Sequence, residues 1–191
     1  MGNTSISSYM TEPTLYTKYK STVAPSLKDA FGYKNVMQVP RVEKVVVNVG
    51  YGRHTKDKQY IEQIEKTLTR ITGQKPVHNK SRKAISNFKI REGQNIGISV
   101  TLRGRSMYEF LNKLINVTFP RVRDFRGINP KSFDPQGNYA IGFKEHIAFP
   151  EIGGEAVDNL HGLEVIVTTT ASNKQEGLAL LKGLGFPFRD K

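Results

Sequence analysis

The chain has 191 residues, 29 Lys and Arg against 17 Asp and Glu, a net charge of +12, and neither cysteine nor tryptophan. Its length suits a single domain; the missing thiols exclude disulfides, thiolate metal sites and a cysteine nucleophile, and no apolar run approaches the roughly 18 residues that a membrane span needs. Ten of the twelve net charges fall within residues 75–131, and charge of one sign crowded in this way repels itself unless a polyanion neutralises it, so a nucleic-acid partner is expected.

In chain order, residues 1–12 are polar, lack the basic start and apolar centre of a secretory leader, and read as a flexible extension ahead of one domain over 13–191. A helix is predicted over 13–31, with Tyr16, Tyr19, Val23, Leu27 and Ala30 on one stripe, Gly32 as its stop and Pro25 as a kink or restart. Residues 42–49 are β-rich and end at Gly50-Tyr51-Gly52. The spacing of Ile61, Ile64, Leu68 and Ile71 predicts a helix over 58–72, closed by Gly73. A basic hairpin follows, ending near Gly93. Ile96, Ile98, Val100 and Leu102 then alternate with Gly97, Ser99, Thr101 and Arg103, which is the pattern of a strand with one apolar face. A helix is predicted over 106–117, buried through Met107, Phe110, Leu111 and Leu114, and a long loop over 120–137. Residues 138–144 and 162–170 read as strands. Ser172 and Gln175 fit a capping box for a last helix over 173–184, and Phe186-Pro187-Phe188 is apolar enough to tuck in. Strands that alternate, interleaved with helices in no regular βαβ rhythm, argue for an α+β fold. The expectation is a largely antiparallel, mixed sheet with helices packed on one face, the other face free for RNA, and a basic hairpin protruding.

Three constellations carry chemistry. In the hairpin, Lys80, Arg82, Lys83, Lys89 and Arg91 offer point charge and two-pronged hydrogen bonds to phosphate, and Phe88 offers a ring for stacking on a base. The plainer alternative is a solvated hairpin with Phe88 folded back into the core. In Arg121-Val-Arg-Asp-Phe-Arg-Gly127, the bases Arg121, Arg123 and Arg126 form a contact surface for RNA or protein, with Asp124 orienting a neighbouring guanidinium and Phe125, Ile128 and Phe133 as anchors. The alternative is an ordinary basic loop. On the sheet, Gly97, Ser99 and Thr101, with Asn48 from the first strand, make a flat face of small groups. Such a face suits the shallow minor groove of A-form RNA, where 2′-hydroxyls are displayed; an ordinary solvated face is its alternative. Arg103 continues the same alternation.

Enzyme readings are weaker. Gly50-Tyr51-Gly52 lacks the third glycine of a dinucleotide fingerprint, since position 55 is Thr55. His54, His78, His146 and His161 stand far apart, without metal-ligand spacing. Neither a zinc-finger spacing nor an RNP1 signature is present. No catalytic residue, metal, cofactor, small-molecule substrate or membrane partner is expected.

Several blocks, in order, resemble the bacterial large-subunit ribosomal protein L five family. They are Val36-Met-Gln-Val-Pro-Arg-Val-Glu-Lys44, Thr72-Gly-Gln-Lys-Pro76, Phe88-Lys-Ile-Arg91, Val100-Thr-Leu-Arg-Gly104, Pro120-Arg-Val-Arg-Asp-Phe-Arg-Gly127, Phe149-Pro-Glu-Ile152 and Thr168-Thr-Thr-Ala171. The resemblance implies a non-catalytic protein of the cytoplasmic ribosome that anchors 5S rRNA in the central protuberance, beside 23S rRNA. It implies that Asn48, Gln74 and Thr101, with Gln38, meet the 5S rRNA; Ser99 and Arg103, which share the polar alternation of Thr101, are expected to join them. The hairpin would approach the elbow of P-site tRNA, and residues 121–127, helped by 145–155, would bridge to a protein of the small-subunit head. The chain departs from the pattern at Gly153-Gly154, where bulkier and more charged residues are expected, and at Arg53-His54. A free-standing RNA-binding regulator or RNA chaperone is the rival reading; an enzyme acting on RNA would need a catalytic cluster that the sequence does not offer.

Overall fold

Alternating apolar residues build one sheet of five strands: β1 (Val42–Gly50), β2 (Val77–Lys80), β3 (Asn95–Leu102), β4 (Tyr139–Phe143) and β5 (Leu163–Thr169). The computed structural model describes residues 13–152 and 160–189; the proposed extension at 1–12 lies outside them. The strand order is β2-β3-β1-β5-β4, and every neighbouring pair is antiparallel. The sheet is therefore not mixed. Among the described residues, parallel pairing occurs only at an isolated bridge between Ile128 and Phe188, outside the sheet. Alternation explains this: each strand has one buried and one open face, whereas parallel strands covered on both faces read as continuous apolar runs.

Val45, Val47 and Val49 of β1, Ile98, Val100 and Leu102 of β3, and Val165 and Val167 of β5 point into one core. Helices cover that side. Helix α3 (Lys58–Thr72) buries Ile64, Leu68 and Ile71, starts on the Asp57 cap and stops at left-handed Gly73. Helix α4 (Gly104–Lys113) buries Met107, Phe110 and Leu111, and α6 (Lys174–Leu184) buries Leu180, Leu181 and Leu184. The first helical segment buries Leu15, Tyr19, Val23 and Leu27; Tyr16 is half-buried and Ala30 exposed, so the stripe runs at strict four-residue spacing.

Two prolines sit inside helical segments without ending them. Between α1 (Thr14–Lys18) and α2 (Ala24–Phe31), residues Tyr19–Val23 form a wide π turn in which the Ala24 N–H reaches back to the Tyr19 carbonyl. Between α4 and α5 (Phe119–Arg121), Leu114–Thr118 does the same, with the Phe119 N–H on the Leu114 carbonyl. Pro25 and Pro120 each lie two residues past the π turn. A proline ring collides with the carbonyl four residues back and offers no N–H to it; the wider turn moves that carbonyl aside. The segment predicted to become loop at Pro120 is therefore helical through Arg121.

The last helix is capped one residue later than its sequence suggests. The Asn173 side chain accepts the Glu176 N–H at 2.9 Å, and Glu176 accepts the Ser172 N–H at 2.9 Å. Phe186 is buried and Phe188 packs on Phe133 and Tyr139, as expected for the apolar end. His146 and His161, distant in sequence, are both buried and stack at 4.0 Å, and the His161 N–H donates to His146 Nδ1 at 3.3 Å.

Helix α6 reaches its seat because two glycines let backbone touch backbone. A methyl group on Gly177 would overlap the Gly137 carbonyl oxygen and lie 2.8 Å from the Gly137 Cα, and Gly137 itself is left-handed with φ +79°. Gly177→Ala is expected to destabilise the fold by about 1–3 kcal/mol, a fall in Tm of roughly 2–12 °C for a chain of this size, measurable by calorimetry. Burial pushes the phenols of Tyr108 and Tyr139 up to about 12, from 10.0. Their protonated forms favour the folded chain, so that contribution is complete below pH 10 and is lost as pH climbs toward 12. Phenolate absorbance and circular dichroism followed together are expected to show alkaline unfolding in that window.

Candidate nucleic-acid interface

Among the described residues nothing covers the face of the sheet opposite the helices, and strand register fixes what it presents. Paired residues lie side by side on one face. The middle row across the sheet is Val77, Ser99, Asn48, Glu164 and Gly142. Toward one end lies Thr101, Val46, Ile166 and Ala140; toward the other, Asn79, Gly97 and Gly50. Thr101 is exposed, and Asn48 and Ser99 are half-buried. Gly97 packs closely, since a methyl group there would stand 3.2 Å from the Val49 carbonyl oxygen.

Six residues were singled out for this surface. Asn48, Ser99 and Thr101 share the open face. Gln38 lies on a short 3-10 turn (Val36–Gln38) that leads into β1, where its side chain accepts the Asn35 N–H at 3.4 Å. Gln74 follows the stop of α3 and precedes β2. Because Val77 faces Ser99 across an antiparallel pair, the chain before Val77 runs toward Thr101. Arg103 follows β3 and pairs with Glu43 at 3.4 Å. Both partners are about half exposed, so this pair contributes little and can be exchanged for a phosphate. Gln38, Gln74 and Arg103 thus flank the Thr101 end of the face.

Five residues of this face were not anticipated. Asn79, next to the hairpin's first base Lys80, is carried onto the face by β2, where its amide donates to Ser99 Oγ at 3.1 Å. Val77, 66% exposed, and Val46 with Ile166 make the face more apolar than small polar groups alone. Glu164 puts a carboxylate in the middle row. The alternation of Val77 and Asn79 against His78 and Lys80 was the available signal for the first two.

The basic hairpin leaves the sheet at the edge where β2 meets β3. Ser81 and Gln94 are joined by backbone hydrogen bonding, and Ile85 and Ile90 exchange two further bonds of 2.9 and 3.1 Å. A 3-10 turn (Ser86–Phe88) closes the tip, followed by Lys89 in the left-handed region at φ 55°. Lys80, Arg82, Lys83, Lys89 and Arg91 are all exposed. Phe88 is 70% exposed, so it does not fold back into the core.

Arg121, Arg123 and Arg126 are exposed but belong elsewhere. Phe125 stacks on Phe119 at 5.2 Å, while Ile128 and Phe133 are buried, so the anchors hold this loop in the helix layer. Phe119 in turn packs on Phe143 of β4, at the edge of the sheet opposite β2. Asp124 turns the chain at φ 50°, and among the described residues it makes no ion pair with the arginines. Of the stretch 145–155, residues 153–155 lie outside the described residues; Glu151 is held by Lys113, which also donates to the Ile71 carbonyl at 2.6 Å. Among the described residues no group of three His, Asp or Glu is arranged to hold a metal ion, and no helix is long and apolar enough to cross a membrane.

Known proteins resemble this chain along most of its length. The family described as ribosomal protein L5 matches residues 35–91, and the model for the C-terminus of that ribosomal family matches residues 95–188. The large ribosomal subunit protein uL5 of Halothermothrix orenii is 55% identical over 174 residues, covering 91% of this chain and 97% of that protein. The protein of the same name from Symbiobacterium thermophilum is 52% identical, covering 93% of this chain and 98% of its own length. That of Colwellia psychrerythraea is 51% identical with the same coverage.

Proposed function

Since the chain belongs to the ribosomal protein L5 family, a structural and not an enzymatic family of the large ribosomal subunit, we propose that it anchors 5S rRNA through the open face of its sheet. The observation that carries this reading is the bare face itself, with Asn48, Ser99 and Thr101 on it and Gln38, Gln74 and Arg103 at its rim. Small residues let the backbone approach a shallow groove closely. The amide of Asn48 and the hydroxyls of Ser99 and Thr101 can both donate to and accept from ribose 2′-hydroxyls. Glu164 accepts only, so it suits a hydroxyl or a base amino group and repels phosphate; the cations at the rim take that part.

The strand order supports two further contacts on separate surfaces. The hairpin projects from the β2–β3 edge, and its side chains, Lys80, Arg82 and Lys83 at its base and Phe88, Lys89 and Arg91 beyond them, are read as the contact with P-site tRNA. Arg121, Arg123 and Arg126 lie toward the β4 edge and are read as the bridge to a protein of the small-subunit head, with neighbouring 23S rRNA completing the surroundings. A rigid body with three faces explains why the cations are not gathered in one patch.

Thr101→Lys is expected to weaken binding of 5S rRNA by about tenfold or more, the equivalent of at least 1.4 kcal/mol, with an unchanged circular dichroism spectrum. The added charge favours polyanions in general, so only a close, shape-dependent fit predicts a loss; filter binding that shows equal or tighter affinity removes the sheet-face reading. Lys80→Ala combined with Arg82→Ala and Lys83→Ala is expected to spare 5S rRNA binding while weakening tRNA occupancy of the P site on reassembled ribosomes. Loss of 5S rRNA binding in that variant would show that the two surfaces have been exchanged.

A further inference from the structure

The sequence assigned all of the hairpin to one role, but its side chains divide. Phe88, Lys89 and Arg91 line a large open concavity, whose other wall is the turn from Gly50 to the first turn of α3. Its volume is about 1760 Å3, beyond the roughly 300–1,000 Å3 of small-molecule pockets, so it suits a stretch of polymer better than a metabolite.

The turn wall is aromatic. His54 is exposed and its ring rests against that of Tyr60 at 4.6 Å. Behind them Tyr51 is almost fully buried, its hydroxyl 3.0 Å from His78 Nδ1, and His78 Nε2 is 3.7 Å from Glu65. This chain ties the turn to β2 and α3; burial raises the Tyr51 phenol above its usual range, and the carboxylate of Glu65 adds to the effect. The hairpin wall supplies the exposed ring of Phe88. Lys56, Lys89 and Arg91 are the cations of the cleft, and its acid, Asp57, is engaged in accepting the Tyr60 N–H at 3.1 Å. Exposed rings among cations are the means by which proteins hold unpaired nucleotides, the base on a ring and the phosphate on a cation. The cleft also continues the sheet: Gly50 ends the row Asn79, Gly97, Gly50 and lines the concavity.

We propose that this cleft is a second RNA site, which takes an unpaired nucleotide of ribosomal RNA with its base against His54, Tyr60 or Phe88 and its phosphates beside Lys56, Lys89 and Arg91. The proposal rests on the chain being a ribosomal-RNA-binding protein, and not on which RNA meets the sheet face.

The test uses the full-length protein with a photoreactive phenylalanine analogue at position 54, assembled into large subunits, beside a second preparation carrying it at position 74, which is exposed at the rim of the sheet face. The expected result is a crosslink from position 54 to a single-stranded nucleotide, its sequence telling 5S rRNA from 23S rRNA. Crosslinks from position 74 but none from 54, or from 54 only to tRNA or protein, overturn the cleft and leave the sheet face standing. Crosslinks to ribosomal RNA from 54 but none from 74 do the reverse, and silence from both overturns both. As a second readout, His54→Ala with Lys56→Ala is expected to speed dissociation from salt-washed subunits by roughly five- to hundred-fold, the range for one lost base stack, with Tm unchanged. Unchanged retention counts against the site.

Discussion

A sheet whose strands alternate can bury only one side, and helices α3, α4 and α6 pack on that side. Val45, Val47 and Val49 of β1 share a single core with them, and among the described residues no second layer covers Asn48, Ser99 and Thr101. The open face is thus a consequence of patterning, not a gap in packing. Burial of apolar surface drives the assembly, and the same alternation that satisfies it delivers a flat, partly polar platform on the other side.

Topology then separates the charges. Placing β2 at one edge and β4 at the other holds the hairpin and the arginine loop apart. Each is anchored without its cations: the hairpin by backbone hydrogen bonds at Ser81 and Ile85, the loop by Phe125, Ile128 and Phe133. The cationic side chains are left to solvent. Among the described residues, Arg103, Arg105 and Lys113 pair with Glu43, Glu109 and Glu151, while the bases of the hairpin tip remain exposed. That is the distribution expected of a surface neutralised by a polyanion.

The elements with strong periodicity were legible in the sequence. The alternation at Ile96 to Leu102 gave β3 its face, and Ile64, Leu68 and Ile71 gave α3 its stripe. What escaped depends on register, which no local pattern contains. Asn79 belongs to the face only because Val77 pairs with Ser99; Glu164 interrupts it only because β5 lies against β1. The π turns ahead of Pro25 and Pro120 were hidden because a proline reads as a break, although a helix that is packed along its length can widen instead. The cap at Asn173 was displaced by one residue, since Ser172 and Asn173 are both capable caps and the backbone contact of Gly177 with Gly137 sets the seat of the helix. The stack of His146 on His161 joins residues that no spacing rule would connect.

The strand order has a further consequence for synthesis. β1 pairs with β3 on one side, but its other neighbour is β5. At about 5–20 residues added per second, β5 emerges from the ribosome roughly 6–24 s after β1, and in that interval a valine-rich strand has an unpaired edge, which is a template for aggregation. The nascent chain must pass through a half-sheet whose inner strand is temporarily a border, so the C-terminal half both completes the platform and acts as the cover that ends this exposure.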